Sequence, residues 1–120
     1  MQREPAAFLW DVHEATLRIR EFVAGHDFSS YSTSVLRQSA VERQFEIIGE
    51  ALNQLSKIAP DVASKIPDRS QIIAFRNILI HGYAALDQVI VWRVIEEHLP
   101  ILEKAVRALL DDAQPLDSGS

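Results

Sequence analysis

Apolar residues recur along this chain at alternating spacings of three and four, the interval that puts them on one face of an α-helix. From Pro5 to about Ala24 the stripe is Phe8, Val12, Ala15, Ile19 and Phe22, and Gly25 follows as a stop signal. After the polar FSSYSTS stretch, read as a loop, Val41, Phe45, Ile48, Leu52, Leu55 and Ala59 form a second stripe that ends at Pro60. A short helical turn is predicted over Asp61–Lys65, with Pro67 and Asp68 breaking the chain and Ser70 available to cap a third helix. Asp87 caps a last segment in which Val89, Trp92, Ile95, Leu99, Leu102, Val106 and Leu109 line one face, and Pro100 kinks that segment or splits it in two. No strand period and no internal repeat interrupt this pattern. The prediction is all-α: an up-and-down bundle of four to five helices over residues 1–110, with 111–120 as a flexible acidic tail.

The third helix departs from the amphipathic rule. Its sequence, IIAFRNILIHGY over Ile72–Tyr83, carries apolar residues on nearly every side and sets Arg76, Asn77, His81 and Tyr83 among them. Such a helix is expected to be buried, and an unpaired buried arginine costs several kcal/mol, so Arg76 needs a carboxylate, a cleft or a phosphate. At about 100° per residue Asn77 and His81 share a face, as do Arg76 and Tyr83, whereas Arg76 and His81 are offset by roughly 140°. Either Gly82 ends the helix and lets His81 turn, or a second copy supplies the missing partner across a two-fold axis. A two-fold homodimer is therefore expected. Gly49 lies inside the second helix at a cost of about 1 kcal/mol against alanine, which points to close approach of another backbone. Glu46 and Glu50 flank it one turn apart, and either could steady Arg76.

Composition changes the picture in few places. With 120 residues and 48% hydrophobic content the chain suits one small core. It has no cysteine, which removes disulfides and thiolate metal sites. His13, His26 and His98 are scattered without metal-ligand spacing, so neither a metal nor a cofactor is expected. No apolar run approaches a membrane span and the N-terminus lacks a signal-like apolar region, so a cytoplasmic protein with no membrane partner is expected. Trp10 and Trp92 fall in apolar stripes as core or interface residues, and Phe28 and Tyr31 read as loop anchors. A net charge of −5 argues against a general nucleic-acid binder. The acidity is concentrated, however: residues 96–120 hold six acidic and two basic side chains, leaving the rest nearly neutral. A small arginine-lined cleft could still meet RNA.

Arg76, His81 and Tyr83 spell R-x4-H-x-Y, which resembles the signature of the HEPN superfamily and in particular its HepT-like toxins. The resemblance extends over about residues 5–110, through RQFEIIGEAL from Arg43 to Leu52, the Ile66–Pro67 pair, and DQVIVWRVIEEHLPIL from Asp87 to Leu102. One position departs: family members often carry tryptophan after that proline, where Asp68 stands here. The resemblance implies a metal-independent endoribonuclease toxin of a type VII-like toxin–antitoxin pair, with Arg76 and His81 catalytic; beside it, the chemistry and placement of the residues put Asn77, Glu46 and Glu50 in support. It further implies that a separate, cognate minimal nucleotidyltransferase antitoxin silences the toxin by adding AMP to Tyr83. The alternative it leaves open is a non-catalytic HEPN-type module that holds a nucleotide or a partner protein.

Overall fold

The computed structural model describes residues 3–82 and 86–113, and among these it contains helices and no strand. The helices are α1 (Pro5–Val23), α2 (Phe28–Ser32), α3 (Val35–Ile58), α4 (Pro60–Ala63), α5 (Arg69–His81), α6 (Gln88–Glu97) and α7 (Leu99–Ala113). The five longer ones make an all-α bundle in which α3 is the spine, with α1 and α5 packed against it, α7 on α1 and α6 on α7. The stripes read from the sequence meet in one core: Leu9, Val12, Ala15 and Ile19 from α1, Val41, Phe45, Ile48, Leu52 and Leu55 from α3, and Leu99, Leu102 and Val106 from α7. Phe75 of α5 closes on Phe45 of α3 edge-to-face, with ring centroids 5.3 Å apart.

Four expectations are corrected. FSSYSTS is not a loop: Phe28–Ser32 is helical, because Asp27 accepts from the Ser30 N–H at 2.9 Å while Ser30 Oγ accepts from the Asp27 N–H at 3.2 Å, a reciprocal cap. Helix α3 starts at Val35 under a Ser34 cap, ahead of its apolar stripe, since Val35 and Leu36 point to solvent. Ser70 does not cap α5. That place is taken by Asp68 in the left-handed region at φ 62°, its side chain turned away from the helix to meet His98 Nδ1 at 2.9 Å. Finally, α5 is not enclosed: Ile72 and Phe75 are buried, but Ile78 and Ile80 are 53% and 40% exposed, because α3 covers one flank and, among the described residues, no helix covers the other to the same extent.

Other expectations hold. Asp87 caps α6 through the Val89 N–H at 2.9 Å. Pro100 does split the last segment, which breaks at His98 and resumes with proline in the first turn of α7, where a missing N–H is tolerated. Helix α7 runs on to Ala113, three residues into the segment expected to be a tail.

Candidate active site

The α3–α5 crossing sets Arg76. A Cβ built on Gly49 would lie 2.2 Å from Arg76 Cβ and 2.6 Å from its Cγ, so the arginine stem occupies the space that any other residue at 49 would fill. The helical glycine is therefore the imprint of Arg76 on α3. From that stem the guanidinium reaches the residue next to Gly49 on α3: Nη2 donates to Glu50 Oε1 in a short, charge-assisted bond, and Nη1 donates to Asn77 Oδ1 at 2.7 Å. Glu50 is itself held by Gln54 Nε2 at 3.1 Å. Arg76 Nε is buried and has no acceptor among the described residues, an arrangement that costs about 1–3 kcal/mol where nothing compensates it.

Between the two carboxylates considered for Arg76, geometry selects Glu50. Glu46 lies one turn earlier and pairs instead with Arg43 at 3.2 Å. His81 is the last residue of α5, and both it and Asn77 are exposed. Gly82 follows with dihedrals outside the helical region, φ −96° and ψ 64°, and its N–H makes the last helical bond, to the Ile78 carbonyl at 2.7 Å, in a space where a side chain would crowd that oxygen. Tyr83 lies outside the described residues. Arg76 and His81 are thus offered by one helix, the first clamped against α3 and the second at its solvent-facing end. Among the described residues, no three His, Asp or Glu side chains gather as a metal site would require.

Two arrangements outside the site were not anticipated. Tyr31 is fully buried, its hydroxyl donates to Gln88 Oε1 at 2.8 Å, and Gln88 Nε2 donates to Glu42 Oε2 at 2.8 Å. Burial, with the Glu42 charge nearby, pushes the Tyr31 hydroxyl pKa well up. This chain ties α2, α3 and the first turn of α6 together, and so fixes the far end of the connection that carries Tyr83. The Asp68–His98 bond does the same for the start of α5. A lone tyrosine among serines and a lone histidine two residues ahead of a proline gave no spacing signal for either, since both partners are distant in sequence.

A family model described as Ribonuclease HepT-like matches residues 12–109, which include every residue of this site. The chain belongs to that family. A Methanocaldococcus jannaschii protein named "Putative RNase MJ1380" is 32% identical over 107 residues, covering 88% of this chain and 95% of the relative. A Thermococcus cleftensis protein named "Probable ribonuclease HepT" is 32% identical over 103 residues, covering 86% of this chain and 93% of the relative. No solved structure matches the chain. The HepT-like resemblance read from R-x4-H-x-Y and its flanking segments is thus borne out, as is the all-α fold that it implied.

Proposed function

We propose that the chain is a metal-independent endoribonuclease toxin whose residues 1–110 form the catalytic unit, acting on RNA in the cytoplasm as a two-fold homodimer. The observation that carries this reading is the state of Arg76: its position is fixed by Gly49 and Glu50, yet one N–H is left without an acceptor, on the helix that also presents His81. The relatives named as ribonucleases and the family match support the same class of reaction.

In this reading, His81 takes the 2′-hydroxyl proton as O2′ bonds to phosphorus. The bond from phosphorus to the 5′-oxygen breaks, and a protonated imidazole, that of the second copy, returns a proton to the leaving oxygen. The products are a 2′,3′-cyclic phosphate and a 5′-hydroxyl. Arg76 supplies planar positive charge to the phosphorane oxygens, and Asn77 and Glu50 hold its fork in place. Because Arg76 and His81 are offset on one helix, the complete set is assembled from two copies across the uncovered Ile78 and Ile80 face. A separate minimal nucleotidyltransferase antitoxin adds AMP to Tyr83 and silences the enzyme.

One observation favours the competing reading, a non-catalytic nucleotide- or partner-binding module: Arg76 already spends two N–H groups within its own chain. Cleavage assays decide between them. Wild-type protein should cut single-stranded RNA equally well with and without EDTA, while His81→Ala and Arg76→Ala keep their helical circular dichroism and lose at least about 100-fold in rate. RNA binding without cleavage would establish the module, and full activity in His81→Ala would remove the histidine from the mechanism.

A further inference from the structure

At the joint between α6 and α7, away from Arg76, the acidic C-terminal region becomes locally basic. Glu103 is buried there with its two oxygens divided between two arginines: Oε1 accepts from Arg20 Nη2 of α1 at 2.6 Å and Oε2 from Arg107 Nη2 at 2.9 Å. One carboxylate thus orients two guanidiniums, and Lys104 stands exposed beside them with no ion pair among the described residues. Both basic residues of segment 96–120, Lys104 and Arg107, are placed here. Together with Arg20 and Pro100 they line a cavity of about 340 Å³.

That basin shares Arg20 and Pro100 with a cavity of about 520 Å³ whose wall includes Trp92, His26 and Leu99. Trp92 is half-buried and braced from behind by Tyr31, with ring centroids 5.1 Å apart. A volume of this order suits a nucleotide. Cations in one chamber and an aromatic wall in the next are the two elements by which single-stranded nucleic acid is held without reading an extended sequence. Glu96 lines the aromatic chamber and Arg20 is common to both, so an occupant would set its phosphate toward Arg20 and Lys104 and leave a base amine to donate to the carboxylate.

We propose that this double cavity is a second nucleotide-binding site, which holds a nucleotide of a single-stranded RNA away from the cut; the assignment of the occupant to the substrate strand rests on the ribonuclease reading. The Asp68–His98 bond brings the start of α5 to the same joint, and His81 ends that helix about 20 Å further along at 1.5 Å per residue, so a strand touching both spans several nucleotides. The site also answers the objection raised by the net charge of −5, because the cations that matter are gathered rather than spread.

Trp92 reports on the site directly. In a Trp10→Phe/His81→Ala background it is the only tryptophan and RNA is not cut. Titration with a 2′-O-methyl hexanucleotide should quench its emission, and adding Lys104→Glu should weaken that binding by about tenfold and flatten its salt dependence. In the active enzyme, Lys104→Glu should raise KM by a similar factor and leave kcat in place. A silent Trp92, or equal affinity with Lys104→Glu, overturns the site. AMP binding as tightly as the hexanucleotide overturns the strand as its occupant. The two readings fail separately: quenching that depends on Lys104 in a protein that never cuts RNA sinks the ribonuclease and keeps the site, whereas cleavage with an unchanged KM in Lys104→Glu does the reverse.

Discussion

Gly49 and Arg76 are one feature seen from two helices. Replacing Gly49 with alanine gains about 1 kcal/mol of helix propensity but forces a methyl group into the space of the arginine stem, an overpacking that costs about 1–3 kcal/mol. Gly49→Ala should therefore be neutral to about 2 kcal/mol less stable by chemical denaturation, and its RNA cleavage should fall far more than its stability, because the guanidinium is displaced from Glu50. Cleavage at the wild-type rate would mean that Arg76 tolerates a shift of that size. Tyr31 makes a second residue-scale prediction. Its folded-state pKa is raised above the ordinary value of about 10, so its contribution is intact below pH 10 and is lost as pH climbs through the folded value. Unfolding midpoints measured from pH 8 to 12 should fall more steeply for wild type than for Tyr31→Phe. At this scale much was legible: a glycine within a long helix and an arginine within an apolar one each demanded a partner. That they are partners of each other depends on where two helices cross, which no local pattern records, and the same crossing decides for Glu50 over Glu46.

At the scale of elements, length governed what could be read. Helices α1 and α3 span many turns and show their faces plainly, whereas α2 has five residues and buries one of them, Tyr31, too few for a period to emerge. Its signal was chemical instead: Asp27 and Ser30 at the spacing of a reciprocal cap. The Ser30 N–H bond holds the Asp27 carboxyl below the usual range, so its stabilising contribution is present above about pH 4 and disappears as pH falls through the lowered value. Asp27→Ala should lower the melting temperature at pH 7 and converge with wild type toward pH 2. A constant gap across that range would show that the cap acts without its charge. The exposure of α5 was the opposite case, since an apolar sequence announces a need for cover and says nothing about which body supplies it.

For the whole molecule, the proposed function meets that need with a second copy. Sedimentation at tens of micromolar should give a two-fold dimer, and Ile78→Glu should shift it to monomer while the helical signal stays. A wild-type monomer at that concentration would sink the shared cleft. Incubation with a cognate minimal nucleotidyltransferase, ATP and Mg²⁺ should add the mass of AMP at Tyr83 and end cleavage, and Tyr83→Phe should take no AMP and stay active. Modification found at Tyr31 instead would show that silencing follows another route, and the burial of that hydroxyl makes it a poor acceptor.

Because α5 rests mainly on α3, it is held chiefly along one flank and, at its start, by the Asp68–His98 bond. A helix supported in this way opens locally at a small fraction of the cost of global unfolding. In a dilute sample its amides from Ile72 to Ile80 should exchange with deuterium earlier than those of α3, and crowding the chains together should slow them. The proposed two-copy enzyme would obey a dose law: below the dissociation constant of the dimer, output rises with the square of chain concentration, so halving synthesis removes about three quarters of the effect.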